Sequence, residues 1–296
     1  MRKRKKRTRL LLAVGFMLPA YAFILFGFLI PGAWNIVLSF QEWDGFNEKK
    51  FVLFQNYVKA FHDSLFLRSI SNSVIIAVVT MIGAVILGLL LAMMLYRLGK
   101  REGALYRLII FMPAMIPVSI IGLLFTFIYN SDMGLLNQLL RLIGLTGLTN
   151  AWLENSATVL PCVIAVGIWR LLGMPMMLCF VSLQAVPPTL LEAGRIDGAS
   201  YRQQMIHILL PLIRPTIALS MVFVLLNAFK TYDLVYVLTK GGPANASMTV
   251  PIYMQKTAFT YSKFSYSSTM GVLTAIIIIV IVLLTQRIMK GETYEF

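Results

Sequence analysis

Polar and apolar positions alternate along this chain on the scale of whole membrane crossings. No charge occurs from Leu10 to Gln41 (32 residues), from Ser69 to Tyr96 (28) or from Leu108 to Ser131 (24). Further apolar runs cover about 159–184, interrupted by Arg170, then about 208–229, then Phe264 to Gln286. About 20 apolar residues at a ~1.5 Å rise cross the ~30 Å hydrocarbon core, so each run predicts a transmembrane helix. The fifth is the weakest, with 15 uncharged residues between Arg214 and Lys230; Arg214 lies near enough to its start to snorkel. Pro19 and Pro31 are expected to kink the first. Between the runs, residues 42–68 read as a mixed segment outside the membrane, partly helical along its surface. Residues 132–158 and 230–263 read as outer segments, the latter with a Gly241-Gly242-Pro243 turn. The fold class is an all-α membrane protein with six transmembrane helices.

Composition agrees. Of 296 residues, 58% are hydrophobic and 13% charged, where a soluble domain carries about a quarter charged. The net charge of +14 does not point to nucleic acid, because no soluble basic face with polar and aromatic readers accompanies it. Seven of the first nine residues are Lys or Arg, and the others cluster in short loops, which is the positive-inside signal. The start imitates a secretory signal, down to Ala20-Tyr21-Ala22. Its apolar run is too long for a ~7–15-residue signal core, and reads as an uncleaved first span with its basic end in the cytoplasm. With both termini inside, 16 basic residues fall inside and 9 outside. The chain then divides into a basic tail (1–9), the first span with its extracytoplasmic segment (10–68), a transmembrane domain (69–287) holding a polar loop at 187–211, and a second tail (288–296).

Cys162 and Cys179 fall in one predicted helix, about 26 Å apart, and cannot bridge each other. His62 and His207 have no partner at metal-ligand spacing, so no metal site is expected. No Gly-x4-Gly-Lys-Ser/Thr loop occurs: Gly99-Lys100 lacks both the upstream Gly and the Ser/Thr, so the chain shows no phosphate-binding machinery of its own. Every Asp and Glu lies outside the span cores, which argues against an ion-coupled secondary transporter. The spans hold no metal ligands and no Ser/His/Asp set for an intramembrane enzyme.

The charged island 187–211 organises the rest. Pro187-Pro188 ends the preceding helix. Thr189 and Glu192 read as a capping box that starts a short polar helix, Gly198 offers a bend, and Pro211 and Pro215 are tolerated near the start of the next helix. By pattern alone this is equally an ordinary loop between two membrane helices. The spacing of Glu192-Ala193-Gly194, three residues, Gly198, nine residues, Ile208, one residue, Leu210-Pro211 resembles the EAA motif of inner-membrane permeases in binding-protein-dependent ABC importers. Ile196-Asp197-Gly198-Ala199-Ser200 is similar to the carbohydrate-uptake branch, which includes the maltose-type permeases. One position departs, Gly194 where Ala is usual; the change weakens a helix by up to ~1 kcal/mol. Asn56-Tyr57, Arg107 to Pro117, Gly134-Leu-Leu-Asn137 and Tyr232 to Pro243 resemble the family as well, so the likeness runs from about 51 to 287.

The resemblance implies a type I ABC importer permease, not an enzyme. It would import a sugar or oligosaccharide by alternating access across the bacterial cytoplasmic membrane; another solute within the ABC class stays open. Implied partners are a second, similar permease, giving a heterodimer, two ABC ATPase subunits and an extracytoplasmic solute-binding protein, besides membrane lipid. ATP and Mg would sit on the ATPases, with no cofactor on this chain. Residues 189–205 would form the coupling helix: Ala193, Gly194, Gly198 and Ala199 give close approach, and Glu192 and Asp197 cap locally or pair with partner cations. Trp169 and Arg170 lie mid-span. There Arg170 either lines the solute path or pairs with a neighbouring helix or backbone carbonyl. Asn227, Lys230, Tyr232 and Asp233 are either sugar hydrogen-bonders or interfacial anchors; Tyr129 and Asn130 are similar in kind.

Overall fold

The computed structural model describes residues 14–98 and 100–289. The two tails, the basic residues 1–9 and all but the start of 288–296, therefore lie outside the described residues. In chain order the helices and strands are α1 (Val14–Ser39), β1 (Gln41–Glu42), β2 (Lys50–Phe51), α2 (Gln55–His62), α3 (Ser64–Leu95), α4 (Lys100–Met115), α5 (Val118–Ile128) and α6 (Leu135–Leu142). Then follow α7 (Val159–Leu171), α8 (Gly173–Ala185), α9 (Pro188–Ile196), α10 (Tyr201–Leu212), α11 (Arg214–Phe229), α12 (Tyr232–Thr239), α13 (Val250–Gln255) and α14 (Phe264–Met289). Among the described residues, four continuous stretches are long and apolar enough to cross a membrane: α1, α3, α7 with α8, and α14. Cys162 on α7 and Cys179 on α8 are both free and buried.

The third and fifth spans differ from the sequence reading, because each is a broken pair. Helices α4 and α5 meet at 97°, and α10 and α11 at 67°. The first break falls at Ile116-Pro117, where proline bars the preceding residue from helical geometry and α5 restarts behind Pro117 at φ −54°, ψ 135°. The second falls at Ile213, with Pro215 in the first turn of α11, where its missing N–H costs nothing. Prolines also explain two π turns. Leu25–Leu29 stands just before Pro31 and Met205–Leu209 just before Pro211. In each, the ladder widens where a proline ring would press on the carbonyl four residues back. The kink expected at Pro31 thus takes the form of a π turn within a helix that runs on to Ser39.

The chain forms two compact units. One comprises residues up to 63 together with 254–273. Here the Asn56-Tyr57 pair fastens α2 to the end of α1: Asn56 Nδ2 donates to the Ser39 and Gln41 carbonyls at 3.1 and 2.7 Å, and the Tyr57 and Ser39 hydroxyls share a bond of 2.7 Å. Between β1 and β2, Lys49 Nζ lies over the rings of Trp34 and Trp43, at 4.5 and 4.6 Å from their centres. In the same turn, backbone N–H groups of Asn47 and Phe46 hold the Asp44 carboxyl below its ordinary pKa.

The other unit comprises 64–253 and the residues from 274. Its spine is α3, which packs on α7, α8 and α11. Gly88 makes the close approach possible: a Cβ there would meet the Leu172 carbonyl oxygen at 2.8 Å and the Met176 nitrogen at 2.9 Å. The stretch read as an outer segment from 230 is partly core. Leu234, Val235 and Leu238 of α12 are buried with Ile121 of α5 and Val163 and Val166 of α7. The Gly-Gly-Pro turn leads into a loop pinned to the start of α3, where Asn72 Nδ2 donates to the Ala246 and Met248 carbonyls at 3.0 and 2.9 Å. After α5 a second hub forms at buried Asn137. Its Nδ2 donates to the Ser131 and Asn150 carbonyls, both at 2.9 Å, while its Oδ1 accepts from Trp152 Nε1 at 2.8 Å and the Asn150 N–H at 3.3 Å. Arg214 bonds the Ile288 carbonyl at 3.1 Å, serving an end carbonyl of α14.

Candidate functional site

Helix α9 begins on the double proline. Pro188 occupies a first-turn position, where a fixed φ and an absent N–H fit helix entry. The expected capping box at Thr189 and Glu192 is not formed, because the N-cap is Pro187, which has no side-chain acceptor. The box sits instead at the start of α10. Gln203 N–H donates to Ser200 Oγ at 3.4 Å, and Ser200 N–H donates to Gln203 Oε1 at 2.8 Å. Its Ser-x-x-Gln signature was present in the sequence. Nor is 189–205 one helix. Gly198, at φ +78°, closes α9 in a Schellman turn, with its N–H on the Arg195 carbonyl at 3.0 Å and the Ala199 N–H on the Gly194 carbonyl at 2.9 Å.

This geometry sorts the residues singled out above. Glu192, Ala193, Asp197 and Gly198 are exposed and Ala199 is half-buried. Gly194 is not on that surface. It is buried, and a Cβ would come within 2.8 Å of Ile208 Cδ1. The departure from Ala therefore makes room for the returning helix of the same chain rather than for a partner. Pro211 is exposed but lies beyond the π turn of α10, where it shapes the helix and not the α9 surface. Sequence reasoning passed over Ile196, which is 87% exposed beside Asp197. The available signal was an apolar residue set between Arg195 and Asp197 in a polar helix.

Behind this face the segment is held firmly. Gln204 Nε2 donates to the Ala199 carbonyl at 2.9 Å, and the Arg97 guanidinium lies 4.6 Å from the centre of the Tyr201 ring. Met205, Leu209 and Ile213 are buried in one cluster with Ala92 and Leu95 of α3 and Met176 and Leu183 of α8. Leu191 of α9 packs on the same cluster.

The second set lies where α7, α12 and α5 pack together. The Trp169 ring meets Phe125 edge-on at 5.4 Å, and Phe125 contacts Tyr129 at 5.5 Å. Arg170 is half-buried and its Nε has no hydrogen-bond partner among the described residues; Asp233 on α12 is near enough to act on it electrostatically. The structure thus brings Arg170 and Asp233 into one neighbourhood. Tyr232 stacks on Tyr236 at 5.2 Å instead of standing alone. Asn227 spends an amide N–H on the Phe223 carbonyl of its own helix, at 2.9 Å. Asn130 Oδ1 accepts from the Asp132 and Met133 N–H groups at 3.0 Å and forms a turn.

Residues 84–291, which include both sets, match the family of binding-protein-dependent transport system inner membrane components. The chain belongs to that family. The permease is 39% identical over 282 residues to the probable ABC transporter permease protein YurN of Bacillus subtilis, covering 95% of this chain and 96% of the relative. It is 31% identical to the diacetylchitobiose uptake system permease protein NgcF of Streptomyces coelicolor, covering 94% and 82%. A bacterial ABC transporter solved in complex with alginate pentasaccharide-bound periplasmic protein has the same fold. The TM-score is 0.83 at 22% identity, over 99% of this permease and 100% of that chain. The fold is that of a type I ABC importer permease, a membrane-embedded transport subunit and not itself a catalyst.

Proposed function

We propose that this permease carries a sugar or oligosaccharide into the cell by alternating access, as one half of a heterodimeric pore. Two separate ATPase chains bind ATP and Mg beneath it, this chain binds no cofactor, and an extracytoplasmic binding protein delivers the solute. Both termini are cytoplasmic. The observation that carries the reading is α9 itself: a short helix closed at Gly198, presenting Glu192, Ala193, Ile196 and Asp197 outward, on a buried cluster shared with α3 and α8. Such an element transmits a push. Closure of the ATPases on ATP would move it and tip the pore, which requires the contact to differ in free energy between the two states. The sugar assignment rests on the Ile196-to-Ser200 run and on the diacetylchitobiose relative.

The test is a mild-detergent pulldown of the full chain from its native host, with partners identified by mass spectrometry. An ATPase, a second six-span permease and a solute-binding protein are expected, and the binding protein is then titrated with sugars. Recovery of this chain alone after gentle crosslinking would overturn the importer assignment; a binding protein that takes no sugar would overturn the substrate class.

A further inference from the structure

Helix α6 keeps an uncovered apolar face although it packs on the protein. It turns Asn137 inward, fully bonded, with Leu136 and Leu140 half-buried, and turns its other leucines out. Leu135, Leu139, Leu142 and the following Ile143 are 53%, 49%, 84% and 64% exposed. Their spacing of i, i+4, i+7 and i+8 makes one continuous stripe, with Arg141 on the opposite flank. The helix is closed by Gly144 at φ +82°, with Leu145 N–H on the Leu140 carbonyl at 2.8 Å and Gly144 N–H on the Arg141 carbonyl at 3.1 Å.

Two observations choose the occupant. The span before α6, with which it is in contact, also leaves apolar side chains uncovered, since Ile120, Leu123 and Phe127 of α5 are exposed in the same unit. The stripe is also small. Eight residues at ~1.5 Å each give a two-turn helix roughly 12 Å long and about 10 Å wide, far short of the ~800 Å² per partner of a stable protein interface. A lipid surface needs no such minimum area per helix, and adds to the burial of the adjoining span.

We infer that α6 lies in the plane of the membrane–water interface, with Leu135, Leu139, Leu142 and Ile143 against lipid acyl chains and Asn137 holding the helix to the loop 150–152. The assignment takes from the proposed function only that the adjoining spans cross a bilayer. Single Leu139→Cys, Leu142→Cys and Arg141→Cys variants of the full chain are spin-labelled and reconstituted in liposomes of phosphatidylethanolamine and phosphatidylglycerol; Cys162 and Cys179 are buried. Collision rates with oxygen, which partitions into lipid, are compared with those of a water-soluble nickel chelate. Labels at 139 and 142 are expected to favour oxygen several-fold, and the label at 141 to favour nickel. Nickel accessibility at 139 and 142 equal to that at 141 overturns the proposal, because the stripe then faces water. Exclusion of both probes overturns it equally, because a protein then covers the stripe. A failed pulldown of importer partners would leave these readings untouched.

Discussion

Asn137 shows what one polar side chain does in an apolar setting. Its four bonds hold the ends of the segment 131–152 together, and removing it strands a part-buried indole N–H, a backbone N–H and two carbonyls. Asn137→Ala is expected to cost roughly 2–4 kcal/mol, by the penalty for unsatisfied groups, read as a lower thermal midpoint in detergent. Gly198 makes the opposite case. A Cβ there meets nothing within 4 Å, so Gly198→Trp fits the free chain and costs only about 1–2 kcal/mol of left-handed strain. The variant is expected to fold, insert and lose uptake through blocked docking. Normal uptake would remove α9 from the coupling role.

Among the helices, close approach decides more than hydrophobicity. Helix α3 has apolar residues all round, so its sequence does not reveal which face meets α8. Gly88 does, because backbone atoms of Leu172 and Met176 stand where its Cβ would be. Gly88→Leu is expected to destabilise by about 1–3 kcal/mol through overpacking. Gly27→Leu, with nothing within 4 Å in its own unit, is expected to leave the thermal midpoint unchanged. Equal midpoints for the two variants would contradict this packing. The breaks at Pro117 and Ile213 belong to the same scale. Proline positions marked where a helix must yield, and the structure shows a bend at two of them and a π turn at two others.

For the whole transporter, the open question is which polar groups meet the solute. Arg170 has an unbonded Nε and Asp233 nearby, whereas Asn227 and Tyr232 have local partners. On the path reading, Arg170→Leu lowers uptake several-fold while the ATPase still co-purifies. Unchanged uptake kinetics would assign Arg170 to packing.

The sequence by itself determined the membrane class, the places of four continuous spans and the permease family. Charge is excluded from hydrocarbon, and the loop's residues have fixed spacing, so both are readable in one dimension. It also placed the turn at Gly198, because a left-handed residue is cheapest as glycine. Only the tertiary structure decided that Gly194 faces Ile208, that the capping box is at Ser200 rather than Thr189, that α12 is part of the core and that Arg170 and Asp233 are neighbours. Each of these depends on which helix lies across from which. For a span that is apolar on all sides, such as α3, periodicity carries no record of that pairing.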